Sequence, residues 1–386
     1  MSICPAKARC VTLTNPQQPT RLRAAALFFT DTPDVDTGAG VTYLEDAVLT
    51  MQGGRIETFA PARDFAAAGG DLASCEHFPD ALMMPGFIDA HVHAPQLNVM
   101  ASYGEQLLDW LQNYTFPEEG RFADEAYAAR ESARFLDALL AHGTTTALVF
   151  ATVHEVAAQA LFEAAEARKL RLIAGKVLTD RNVPAALEES LDDGMAANAR
   201  LMERWHGRSR LSYALTPRFA ITSTAEQLAR VGELMSHRPD LYLQTHLSEN
   251  PQEVEETLAL FPQAQDYVDV YDRFGLCGPR SVFAHGIHLS EREVNRLAES
   301  GSRVAFCPTS NLFLGSGLLN LRRLERHGVP PALATDVGGG TSLSLLRTMA
   351  EGYKVLQLQG QSWHPLEAVP MTGPDTPADD AWLREE

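Results

Sequence analysis

Pro85-Gly86-Phe87-Ile88-Asp89-Ala90-His91-Val92-His93 joins a short apolar run to two histidines set two apart. In an extended strand, residues i and i+2 point to the same face, so His91 and His93 present two imidazoles side by side at a strand end. That arrangement supplies the first two ligands of a metal. By itself, His-x-His is equally compatible with two half-exposed strand residues. The decision rests downstream, where His246, His285 and Asp336 each close an apolar run of their own.

From Met84 onward, short apolar runs alternate with amphipathic segments, the signature of repeated βα units on a parallel sheet. Eight strands are expected, near 84–92, 145–151, 171–178, 211–216, 241–247, 281–285, 303–307 and 331–336. They imply an α/β fold, a (β/α)8 TIM barrel. Ala129, Ala133, Leu136 and Leu140 recur at helical spacing, as do Leu228, Val231, Leu234 and Met235. Thr224 with Gln227, and Ser290 with Glu293, have the spacing of capping boxes, and Pro251 suits a first helical turn.

Ahead of the barrel, residues 21–60 alternate strand-like runs with turns, and Gly53-Gly54 reads as a hairpin. The expected organisation is an N-terminal β-sandwich appendage over 1–83, the barrel over 84–368 and a tail over 369–386. The stretch 95–122 is too long for an ordinary βα loop, and long loops at the catalytic face usually serve substrate. The tail is rich in Pro, Asp and Glu without apolar period and reads as disordered.

A formal net charge of -18 argues against nucleic acid or an anionic membrane surface as partner and favours a small, neutral or weakly charged ligand. The five cysteines, Cys4, Cys10, Cys75, Cys277 and Cys307, show no C-x-x-C spacing and read as reduced, mostly buried thiols. With neither a leader-like N-terminus nor a long apolar run, the expected location is cytoplasmic.

In a barrel of this kind the site lies at the C-terminal ends of the strands. Each polar residue there has a plain alternative: a core histidine bonded to a carbonyl, or an Asp capping the next helix. Four strands delivering such groups to one rim are hard to reconcile with packing alone, because unpaired buried polar groups cost several kcal/mol each. His91, His93, His246 and Asp336 together match one divalent ion that takes nitrogen and oxygen ligands, zinc first and iron(II) second. Such an ion lowers the pKa of its water from ~15.7 toward ~7, which makes hydrolysis the natural reaction class. Asp336 is then both ligand and proton acceptor, and Glu249, three residues past His246, is a candidate general acid/base. His285 is expected to hydrogen-bond the developing tetrahedral oxygen. The fourth strand carries no bridging lysine, so one metal is favoured over two. Lys176 is read as a surface cation or as a group behind the site.

These residues resemble the amidohydrolase superfamily and, within it, the barrel-type guanine deaminases, over 22–366. The superfamily part is Pro85 to His93 with His246, His285 and Thr335-Asp336. The narrower part is His93-Ala-Pro-Gln96, Leu108-Asp-Trp-Leu111 with Tyr114-Thr-Phe-Pro117, Thr216-Pro-Arg-Phe219, His246-Leu-Ser-Glu-Asn250 and Cys307-Pro-Thr-Ser-Asn-Leu312. The resemblance implies hydrolytic deamination of guanine to xanthine and ammonia, with metal hydroxide attacking C2 and Glu249 carrying a proton to N3. Gln96, Arg218 and Phe219, with His246, Glu249 and His285, are the implied substrate contacts, and a homodimer the implied assembly. After the segment Trp363 to Ala368, residues 369–386 depart from the family's continuation, which implies a truncated end and an incomplete β appendage. The alternatives are a related mononuclear amidohydrolase acting on another purine, a pterin or a triazine, and a truncated non-catalytic scaffold.

Overall fold

The computed structural model describes residues 19–34, 37–103 and 106–358. The chain divides into two compact units, Met1–Gly86 and Phe87–Glu386. The expected tail over 369–386 lies outside the described residues, as do Cys4 and Cys10.

The first unit is a four-stranded sheet of β1 (Thr20–Phe29), β2 (Val41–Gln52), β3 (Arg55–Pro61) and β4 (Glu76–Met83), in the order β3-β2-β1-β4. Strands β1–β2 and β2–β3 pair antiparallel, while β4 adds parallel to β1. Gly53 and Gly54 take φ of 57° and 77° between β2 and β3, the paired left-handed geometry of a two-residue hairpin that residues with a Cβ adopt at a cost. The sheet buries Ala24, Ala26, Ala47 and Val48.

The second unit is the barrel: β5 (Phe87–His93), β6 (Thr144–Phe150), β7 (Arg171–Gly175), β8 (Val177–Leu178), β9 (Leu211–Pro217), β10 (Tyr242–Leu247), β11 (Ser281–His285), β12 (Arg303–Phe306) and β13 (Ala332–Leu333). The order is β13-β12-β11-β10-β9-β7-β6-β5, all parallel, with β8 paired to β9. Closure comes just past β13, where Asp336 N donates to His91 O (2.9 Å) and His93 N donates to Val337 O (2.8 Å). Among the described residues no helix is long and apolar enough to cross a membrane.

Several local expectations need correction. The eighth strand is two residues long rather than six, because Pro330 and Pro331 precede it without N–H groups to donate to a ladder. The third strand breaks at Lys176, whose N–H donates to Tyr213 Oη (3.2 Å). On the helix Glu125–Ala141, Phe135, Leu136 and Leu139 face inward, whereas Ala129 and Leu140 are exposed. Alanine fits either face, so its spacing there was a poor guide. The Ser290–Glu293 capping box forms, and so does one at Asn250–Glu253 ahead of the helix Pro251–Leu260. Thr224 caps its helix through Gln227 N, but the Gln227 side chain does not reciprocate.

Candidate metal centre and its pocket

Strand β5 ends on His91 and His93, β10 carries His246, and Asp336 follows β13, so first, middle and last strands deliver four side chains to one point. His93 Nε2 lies 3.1 Å from His91 Nε2 and 3.3 Å from His246 Nε2. Asp336 Oδ1 stands 3.1 Å from His91 Nε2 and 3.3 Å from His93 Nε2. Metal–ligand bonds of about 2.0–2.1 Å at tetrahedral angles place neighbouring ligand atoms about 3.3 Å apart, which these separations match. All four ligand atoms lie within 4.8 Å of one another, and all four residues can hold an ion.

The proton inventory of the rings fits an ion as well. His246 Nδ1 is 2.7 Å from Arg218 O, and a carbonyl only accepts, so Nδ1 carries the proton and Nε2 keeps a lone pair. Burial pushes the His93 imidazole down to about 4 and that of His246 well below its ordinary range, leaving both neutral. Neutral ring nitrogens this close, beside a carboxylate, are reconciled by a cation among them. These residues therefore form a buried metal site.

Beside it lie Glu249 and His285. Glu249 is 3 % exposed, and burial, followed by the nearby charges of Asp336 and Glu253, pushes its carboxyl well above the usual range. Ser316 Oγ donates to Glu249 Oε1 (3.1 Å), while Oε2 faces His285 Nε2 at 3.3 Å. Asn311 Nδ2 donates to His285 Nδ1 (2.9 Å), which puts the imidazole proton on Nε2. His285 and Asp336 take φ of 74° and 49°, left-handed backbone that costs roughly 1–3 kcal/mol at a non-glycine residue. Cys307 lies close to His285 and Asp336, but burial drives its thiol far up, and it donates to Ala305 O (3.4 Å) instead of offering a thiolate.

The centre opens into a pocket with about 400 Å³ of empty space, counting its open mouth, walled by Leu107, Trp110, Leu111, Phe219 and Leu314. Gln96 and Arg218 supply its polar side and are 2 % and 3 % exposed. Phe219 is buried, with its ring centroid 6.3 Å from that of His246. The candidate metal, catalytic and substrate residues named from the sequence are thus brought to one place. Lys176 is not at the surface: it is buried and paired with Glu189.

Four residues escaped sequence reading. Asp89 accepts from Thr335 N (3.0 Å) and Oγ1 (2.5 Å), tying β5 to the segment that carries Asp336. Its own position in the quoted stretch was the available signal. Asn311 stood inside another quoted motif without a role, whereas Ser316 and Glu119 have no spacing that marks them.

The sequence model of the amidohydrolase family matches residues 82–372. Guanine deaminase of Escherichia coli (strain K12) is 44 % identical over 338 residues, covering 88 % of this chain and 77 % of the relative. A solved structure described as E. coli guanine deaminase superposes with a TM-score of 0.85 at 43 % identity, covering 88 % of this chain and 79 % of that one. Guanine deaminase from C. acetobutylicum, solved with guanine bound in its active site, gives 0.83 at 28 % identity, over 89 % and 81 %. Barrel and centre together define a metal-dependent hydrolase with a buried His/His/His/Asp metal site. The chain belongs to the amidohydrolase family, on its guanine deaminase branch.

Proposed function

We propose that this chain deaminates guanine hydrolytically to xanthine and ammonia, with zinc as its ion. The observation that carries this reading is Arg218. It is buried at the pocket with Nη1 engaged by Glu119, while Nε and Nη2 meet no protein acceptor among the described residues. Such donors suit the carbonyl oxygen of a flat neutral heterocycle packed near Phe219. The activity of the E. coli relative and the guanine held by the C. acetobutylicum enzyme support the same substrate.

Zinc suits a three-nitrogen, one-oxygen donor set, with iron(II) as the alternative. A divalent ion held by His91, His93, His246 and Asp336 supplies Lewis acidity and brings the pKa of water into the neutral range. Asp336 accepts the proton that water loses as its oxygen bonds to C2. Glu249, kept protonated by burial, donates to ring nitrogen N3, and His285 Nε2–H donates a hydrogen bond to the oxygen as C2 becomes tetrahedral. Asp336 then passes its proton to the amine, the C2–N bond breaks and ammonia leaves. The hydroxyl proton returns to Glu249, giving the C2 carbonyl of xanthine. The cytoplasm, with reduced thiols, and a homodimer complete the proposal.

Ammonia release is to be measured from guanine beside adenine, cytosine and 8-oxoguanine, with metal content on the same preparation and sedimentation for the assembly. Turnover of guanine above the others is expected. A fully metallated preparation inert toward guanine would overturn the reading.

A further inference from the structure

Glu119 lies in the short helix Phe116–Gly120, inside the long insertion that follows β5, and is 1 % exposed. Its carboxylate is a junction. Arg218 Nη1 donates to both oxygens, at 2.9 and 2.7 Å, and Gln96 Nε2 donates to Oε1 at 2.9 Å. Gln96 Oε1 in turn accepts from Gly338 N at 3.2 Å. The segments following β5, β9 and β13 are therefore joined beside the pocket through one carboxylate.

We propose that Glu119 is a positioning residue that sets substrate orientation and selectivity through Gln96 and Arg218, an inference that rests on the guanine deaminase reading. The two ends of a glutamine amide are almost identical in shape, so only its partners decide which end points where. Here both partners specify the same orientation. A carboxylate can only accept, which fixes the NH₂ end, and the Gly338 N–H can only donate, which fixes the oxygen. One N–H and one lone pair of Gln96 remain for a ligand in known positions.

Arg218 is anchored in the same way. Both carboxylate oxygens hold Nη1 alone, and the Phe116 ring lies 5.2 Å from the guanidinium carbon, so the plane is set while Nε and Nη2 stay available. A fixed donor accepts a purine carbonyl and rejects an amine at the same ring position, because donor would face donor. A Glu119 that merely neutralised Arg218 would not affect that discrimination.

The test is steady-state kinetics on guanine and adenine with wild-type, Glu119→Gln and Glu119→Asp proteins, each with metal content measured. Glu119→Gln keeps the shape but puts an NH₂ against Gln96 or Arg218. KM for guanine should rise about tenfold or more, kcat should stay within about threefold, and the guanine-to-adenine ratio of kcat/KM should fall about tenfold. Glu119→Asp should recover part of both losses. Unchanged KM and selectivity in metallated Glu119→Gln, or a loss confined to kcat, would overturn the inference. Should Glu119→Gln not fold, Glu119→Asp decides: a KM raised about threefold supports the role, and an unchanged one refutes it. Wild-type protein inert on guanine removes the parent reading and this inference with it, whereas an active wild type with an indifferent Glu119→Gln removes this inference alone.

Discussion

Glu249 Oε2 lies 3.3 Å from His285 Nε2, with both side chains buried and both rising from strand ends on the metal side of the pocket. A carboxyl whose pKa burial raises thus faces an imidazole N–H. Neither group belongs to the four-ligand cluster of His91, His93, His246 and Asp336.

Glu249→Gln should therefore lower kcat by roughly 10²–10⁴-fold, the range of a lost general acid/base, while metal content stays at the wild-type level. Elemental analysis alongside turnover checks this. Loss of the metal in step with the activity would show that Glu249 supports the ion instead.

Removing the ion with a chelator should abolish turnover and lower the melting temperature, because a ligand bound at a thousand times its Kd contributes about 4 kcal/mol to the folded state. Zinc readdition should restore both. A melting temperature indifferent to chelation would argue that the site does not hold an ion tightly.

Glu253 offers a dependence on pH. Burial raises its carboxyl to about 7, although it accepts from Glu249 N, Asn250 N and Tyr267 Oη. The unfolded carboxyl titrates near 4.5, so below that pH both states are protonated and nothing is lost. Between 4.5 and 7 the unfolded chain gives up a proton that the folded one keeps. Stability falls by an amount on the order of 3 kcal/mol across that window and is level above it. Denaturant titrations of wild type and Glu253→Gln at several pH values should diverge through the window. Parallel curves would mean that this carboxyl does not titrate as described.

Gly175 ends β7 where a Cβ would fall 1.7 Å from Ala214 O on the neighbouring β9. Backbone cannot yield as a flexible side chain does, so Gly175→Ala should cost about 3 kcal/mol or more. A denaturation midpoint within error of wild type would refute the packing argument.

Much of this was legible because a barrel repeats. Apolar runs located the strands, and a strand ending in a titratable residue placed that residue at the catalytic rim, so His91, His93, His246, His285 and Asp336 could be found by position alone. Arg218 and Gln96 needed family resemblance, since an arginine after a strand has no spacing that distinguishes a pocket from a surface. Glu119 was invisible for a different reason. Its partners are distant in sequence, Gln96 by 23 positions and Arg218 by 99, and the helix that presents it lies in an insertion without periodic pattern. The short last strand was overestimated because apolar character outweighed the Pro330-Pro331 pair ahead of it.

The hydrogen bonds that close the barrel, Asp336 N to His91 O and His93 N to Val337 O, each involve the backbone of a metal-site residue. Asp89 and Thr335, bonded across the same seam, are 246 positions apart. During synthesis His91 and His93 emerge early, and the carboxylate that completes their shell arrives only with the final strand. The full ligand set is therefore assembled only when the ring of strands is finished, and a chain interrupted before Asp336 lacks both the backbone clasp and the one carboxylate of that set.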